Sequence, residues 1–175
     1  FNKTSVITQV NQGKDIEVDE MFTEVFRMAE SISKETNGAF DITVAPMVNL
    51  WGFGFKQGVS PTKAKIDSIK TLVGHEKVAL EKGRIIKQNP KIMLDCSAIA
   101  KGYGSDIVAR FLKKKGISNF MVEIGGEIVV NGVSEKQVPW HIGINKPTDD
   151  STNTSQEIQD VLDICLLYTS DAADE

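Results

Sequence analysis

The sequence predicts an α+β fold: a largely antiparallel sheet with packed helices. Three observations carry that prediction. Residues 19–36 and 98–115 place apolar side chains at spacings of three and four, as amphipathic helices do. Extended runs at 77–81 and 84–88 flank the turn Glu81-Lys82-Gly83-Arg84, which suits a hairpin. No βαβ unit recurs at a regular interval, which argues against a doubly wound parallel sheet. With no internal repeat and no clear linker, residues 1–164 read as one domain.

In chain order, Asp19 is the expected N-cap of the first long helix. Met21, Phe22, Val25, Phe26, Ala29 and Ile32 form its inward face, and Asn37-Gly38 ends it. Residues 39–44 read as a short strand ended by Pro46, followed by an aromatic, glycine-rich run through Trp51-Gly52-Phe53-Gly54. Residues 62–73 read as a short helix with Ile66, Ile69, Leu72 and Val73 inward. After the hairpin, residues 92–94 read as a buried strand. The helix at 98–115 turns Ile99, Tyr103, Ile107, Phe111 and Leu112 to the core. Lys113, Lys114 and Lys115 sit at its negative dipole end and Gly116 stops it. Strands are expected at 120–124, 127–131 and 140–145, and an exposed loop at 148–156.

Composition narrows the function classes. Apolar residues make up 41% and charged residues 25% of the 175, ordinary for a globular chain. A net charge of −4 gives no basic surface for nucleic acid, and the lysine run reads as a solvated helix end. No apolar run approaches the roughly 20 residues of a membrane-spanning helix. No signal peptide is visible, although the chain opens on Phe1 rather than Met. The two cysteines, Cys96 and Cys165, form no CxxC pattern, and His75 and His141 lie far apart, so zinc and iron–sulfur sites are not expected.

The strongest local feature is Leu94-Asp95-Cys96-Ser97-Ala98-Ile99-Ala100-Lys101-Gly102-Tyr103-Gly104-Ser105-Asp106. An acid ends a buried segment, and a helix with small residues in its first turns begins at once. Small residues let a ligand approach the backbone, a helix N-terminus favours anions, and Lys101 adds positive charge. The spacing is neither a P-loop nor a GxGxxG fingerprint. The other reading is a plain junction with Ser97 as N-cap and the glycines serving close packing. A second feature, Asn37-Gly38-Ala39-Phe40-Asp41 followed by Trp51-Gly52-Phe53-Gly54, sets aromatics beside glycine turns and suits a flat ring such as adenine or flavin, or a packed turn. A third, Gly125-Gly126-Glu127, permits a bulge or a close ligand contact; Glu127 either binds metal or faces solvent, and local sequence favours solvent. No Ser/His/Asp arrangement and no acid–base carboxylate pair stands out.

Taken in order, these segments resemble the ApbE family. The matching elements are NGAFDITVAPMVNLWGFG at 37–54, LDCSAIAKGYGSD at 94–106, VEIGGEI at 122–128 and PWHIGINKP at 139–147. The resemblance covers residues 1–164 and implies an FAD:protein FMN transferase. Such an enzyme splits FAD at its pyrophosphate and moves FMN onto a Thr or Ser hydroxyl of an acceptor protein, with Mg2+ required. It implies FAD contacts at Ala39, Phe40, Asp41, Asp95 and Lys101, and a backbone carbonyl at Ala98 for Mg2+, a hard cation that accepts carbonyl oxygen. Asp95, an anion, suits a polar ring edge better than the phosphates. An FAD pyrophosphatase giving FMN and AMP, or a flavin-binding protein without catalysis, are the alternatives.

The resemblance also implies a location in the cell envelope, on the periplasmic side of the inner membrane, with a lipid anchor ahead of Phe1. The family's C-terminal third, which supplies the side-chain Mg2+ ligands, has no counterpart here, so the 175 residues alone are expected to be inactive. Residues 165–175 do not resemble the family and are expected to be a non-native tail. A strand running on from Val161 through Tyr168 is the other reading of their start.

Overall fold

Asp19 sets the start of the first long helix. Its carboxylate accepts from the Phe22 backbone N–H at 2.7 Å, satisfying a donor that a helix N-terminus leaves open. The computed structural model describes residues 2–52, 61–146, 158–164 and 166–169. The chain divides into two compact units, Phe1–Ile99 and Ala100–Glu175.

In the first unit a short helix α1 (Val6–Asn11) precedes α2 (Glu20–Glu35). Val25, Phe26 and Ala29 are buried as their spacing predicts, while Met21, in the first turn of the same stripe, stays 57% exposed. The segment expected to be a strand at 39–44 is not one. Asp41 Oδ1 accepts from both the Thr43 backbone N–H, at 2.8 Å, and the Thr43 hydroxyl, at 2.7 Å. A side chain that bonds its own backbone two residues on competes with sheet pairing, and the chain turns into a 3-10 helix at Ile42–Val44. Pro46 then opens a helix, α3 (Ala45–Leu50), in the first turn where its missing N–H leaves nothing unpaired. Phe53 and Gly54 lie outside the described residues, as does the loop expected at 148–156.

Helix α4 (Lys63–Lys70) is capped by Thr62, which accepts from the Lys65 N–H. The predicted hairpin is present: β1 (Val78–Glu81) pairs antiparallel with β2 (Arg84–Lys87), Glu81 opposite Arg84. Residues 92–94 are buried at Ile92 and Leu94 but are not a strand. Their backbone groups are satisfied one at a time. The Asn11 amide donates to the Leu94 carbonyl at 2.9 Å and accepts from the Leu94 N–H at 2.8 Å. Lys87 Nζ donates to the Ile92 carbonyl at 3.0 Å and to the Val10 carbonyl at 2.7 Å. That burial lowers the Lys87 pKa by desolvation.

Helix α5 (Ser97–Lys114) begins in the first unit and runs on in the second. In the second unit, β3 (Phe120–Ile124) and β4 (Glu127–Asn131) form a hairpin in register Ile124 to Glu127. Ala109 of α5 packs with Phe120, Val122 and Val129, and Leu112 lies against that cluster. The expected inward stripe is corrected at Phe111, which is 56% exposed with Lys115 Nζ 5.5 Å from its ring centre. Ile99 and Tyr103 are buried as expected, and Ser105 and Ala109 are buried besides them, because Ser105, Ala109 and the partly buried Leu112 (i, i+4, i+7) share a covered face. Strand β5 (Trp140–Asn145) pairs antiparallel with β6 (Ile158–Ile164), where His141 pairs with Asp163. The backbone of β7 (Leu166–Thr169) pairs antiparallel with the other edge of β4. All strand pairings among the described residues are antiparallel, as expected for the fold class.

Candidate functional site

The Asp95 backbone N–H donates to the Ile42 carbonyl at 2.7 Å. That bond joins the segment around Asp41 to the segment that opens α5, 53 positions apart by residue number. Asp41, half-buried, holds Thr43 as described, and the fully buried Thr43 hydroxyl in turn accepts from the Gly74 N–H at 2.7 Å. Ahead of Asp41, the Phe40 N–H donates to the Thr36 hydroxyl at 3.1 Å and the Ala39 N–H to the Thr36 carbonyl at 3.1 Å. Phe40 is half-buried and Ala39 exposed. Gly38 lies beside the His75 ring, whose Cδ2 would be 3.8 Å from a Cβ placed there.

At the start of α5 the capping acceptor is Asp95, not Ser97. Asp95 Oδ1 accepts from the Ser97 N–H at 2.8 Å, because an Asp two residues back reaches that donor without distorting the chain. Cys96 is buried, and desolvation together with the neighbouring Asp95 carboxylate pushes its thiol up to about 11. A thiol so held is not a nucleophile at neutral pH. Ala98 is exposed in the first turn.

Lys101, one turn on, belongs to the second unit. Its ammonium donates to the Gly125 carbonyl at 2.9 Å and lies 3.9 Å from Glu127 Oε1. Gly125 and Gly126 have φ of +57° and +91°, the left-handed pair that a two-residue hairpin turn needs, so the glycines make a tight turn rather than a bulge. Glu127 does not face solvent as expected. Its side chain is only 18% exposed because it is drawn in beside Lys101, which is 40% exposed. Gly104 serves close packing: a Cβ there would touch Ile124 Cδ1 at 3.4 Å. At Gly102 a Cβ would meet nothing within 4 Å, so packing does not account for that glycine.

Among the described residues no group of three Asp, Glu, His or Cys side chains stands close enough to hold a metal ion. The Ala98 carbonyl is an oxygen donor of the right hardness for Mg2+, but one such donor does not make a site for a cation that takes six. The described residues therefore do not fit a magnesium site by themselves.

Sequence reasoning missed Asn11, Thr43 and Gly74, and placed Glu127 in solvent. No local signal marks them, since each acts on a partner far along the chain or across a turn. Thr43 lay within the element at 37–54, and Glu127, beside the paired glycines, lay within a motif already noticed for ligand contact.

The ApbE family model matches residues 1–172. An FAD:protein FMN transferase from Vibrio cholerae serotype O1 is 38% identical over 176 residues, 98% of this chain and 52% of that protein. One from Haemophilus influenzae is 39% identical over 158 residues, 85% of this chain and 46% of that protein. The chain thus spans about half the length of the curated relatives it matches. Among solved structures, the flavin transferase ApbE from Vibrio cholerae superposes with a TM-score of 0.81 at 37% identity, covering 93% of this chain and 53% of that one. The ApbE protein from Thermotoga maritima gives 0.81 at 25% identity, covering 96% and 54%. With four sequence motifs in order, a family model matched over nearly the whole chain and the same fold in solved relatives, this chain belongs to the ApbE family.

Proposed function

We propose that this chain is the FAD-binding part of an FAD:protein FMN transferase. The observation that carries the reading is the Asp95–Ile42 hydrogen bond, which brings together the two segments expected to touch FAD. Ala39 and Phe40 would lie against a flat ring, Asp41 would contact FAD from the same segment, and Asp95 on the other segment would meet a polar edge of a ring system. Lys101 would meet the pyrophosphate. In the reaction, the acceptor's Thr or Ser oxygen forms a bond to the FMN-side phosphorus. The bond from that phosphorus to the bridging oxygen breaks, AMP leaves, and the hydroxyl proton passes to solvent. A cation neutralises charge in such transfers. Mg2+ is part of the proposal, with the Ala98 carbonyl as one ligand and the others from substrate, water and residues beyond those described.

The test is in-gel flavin fluorescence on an acceptor protein after incubation with FAD and Mg2+. A protein extended to the length of the curated relatives is expected to label the acceptor, and the 175 residues alone to give no label. Release of FMN and AMP without labelling would favour the pyrophosphatase reading. FAD binding with no cleavage would favour a flavin-binding protein. An envelope location on the periplasmic side, with a lipid anchor, goes with the proposal by resemblance, and cell fractionation tests it. No helix among the described residues is long and apolar enough to cross a membrane.

A further inference from the structure

We infer that Glu127 is the positioning residue for Lys101. The inference rests on the reading that Lys101 meets the anionic part of FAD. Lys101, Gly104 and Ser105 of α5 stand at i, i+3 and i+4, on one face of the helix, and that face meets the closed end of the β3–β4 hairpin. The Lys101 ammonium donates to the Gly125 carbonyl at 2.9 Å, and the fully buried Ser105 hydroxyl donates to the Glu127 carbonyl at 3.1 Å. Gly104 lets Ile124 come within contact distance. The Lys101 stem crosses over Gly125 so closely that a Cβ there would lie 2.9 Å from Lys101 Cδ. The turn residues therefore fix where the lysine side chain runs.

Glu127 completes the arrangement through charge. At 3.9 Å its carboxylate lies beyond hydrogen-bond distance but close enough to attract the ammonium, and its own side chain is the less exposed of the two. An ammonium has three donors and the Gly125 carbonyl takes one, so Lys101 keeps donors for a ligand while its position is held. A flexible four-carbon stem otherwise loses its rotamer freedom when the ligand binds. Holding it beforehand removes that cost from binding.

The experiment is a double-mutant cycle in the protein extended to the length of its relatives, read by FAD titration through flavin fluorescence quenching, with melting temperature measured alongside. Lys101→Met is expected to weaken FAD binding. Glu127→Gln, which keeps shape and removes charge, is expected to weaken it by roughly a factor of five, the effect of ordering one rotamer-rich side chain. Glu127→Asp is expected to fall between parent and Glu127→Gln. In the Lys101→Met background Glu127→Gln should change nothing further, since the group it positions is gone. The same fivefold loss in both backgrounds would overturn the inference, because Glu127 would then act through something other than Lys101. Tighter binding by Glu127→Gln would also overturn it, the carboxylate then merely repelling the ligand. An unchanged affinity in Lys101→Met would instead remove Lys101 from the FAD site, a separate failure of the underlying reading.

Discussion

Asp95 and Ile42 share a backbone hydrogen bond of 2.7 Å, and through it the acid that caps α5 stands next to the acid that caps the 3-10 turn. Both carboxylates spend an oxygen on local backbone N–H groups. Structural and ligand roles therefore overlap at the same side chains, and variants must be chosen to separate them.

At Asp95 the separation is direct. Asp95→Asn keeps an oxygen to accept the Ser97 N–H, whereas Asp95→Ala does not. Asp95→Ala is expected to lose about 1 kcal/mol of stability with the cap. Both variants are expected to bind FAD more weakly, by about tenfold or 1.4 kcal/mol. Chemical denaturation and FAD titration on the same preparations check the two effects. Full FAD affinity in Asp95→Asn would mean that the charge plays no part in the site.

Asn11 bonds the Leu94 backbone through both its oxygen and its nitrogen. Asn11→Ala leaves a buried N–H and a buried carbonyl without partners and is expected to cost about 2–6 kcal/mol, at 1–3 for each unsatisfied group. Asn11→Asp keeps the acceptor but sets a carboxylate against the Leu94 carbonyl, and should be no milder at neutral pH. Urea midpoints compare the three proteins. A loss below half a kcal/mol in Asn11→Ala would show that the segment holds its place without this clamp.

Thr43→Val retains shape in a fully buried position and removes the hydroxyl that accepts from Gly74. The Gly74 N–H is then orphaned, at a cost of about 1–3 kcal/mol. Amide hydrogen exchange at Gly74 should accelerate in the variant. An unchanged exchange rate would place the protection of that amide elsewhere.

Gly102 is the glycine that packing does not explain. Gly102→Ala is expected to raise stability by up to about 1 kcal/mol, the helix-propensity difference between the two residues. If the open backbone at this turn receives FAD, the same variant should bind FAD more weakly. A more stable protein with undiminished FAD affinity would remove Gly102 from the ligand site.

The Cys96 thiol, held at about 11, should resist alkylation. At pH 8 a thiol of that pKa is roughly one part in a thousand thiolate, against about a tenth for an ordinary cysteine at 9.0. Iodoacetamide labelling of a Cys165→Ser chain, followed across pH, should rise only towards pH 11. The sign for stability follows. The folded pKa is raised above the ordinary 9.0, so this contribution is complete below pH 9 and is lost as pH climbs through 11. Rapid labelling of the folded protein at pH 8 would show the thiol to be accessible and ordinary.

The positions of α2, α4 and α5, the β1–β2 hairpin, the antiparallel character of the sheets and the order of the four family motifs were determined by the sequence itself, whereas α1, the 3-10 turn at Ile42–Val44 and α3 were not. The reason is that each depends on residues near in the chain: apolar spacing in α2 and α5, the Asp19 cap, the Lys82-Gly83 turn. Tertiary structure decided the rest. Residues 92–94 look like a strand because they are apolar. They are not one, because Asn11, 83 positions away, takes up the backbone groups of Leu94 that a neighbouring strand would otherwise bond. Phe111 belongs to an apolar spacing yet stays in solvent, since the face of α5 that is covered runs through Ser105, Ala109 and Leu112. Glu127 reads as a surface acid until the hairpin closes and brings it beside Lys101, 26 positions earlier. A hydrogen bond or ion pair between distant residues depends on where the fold puts both ends, and local sequence specifies only one end at a time.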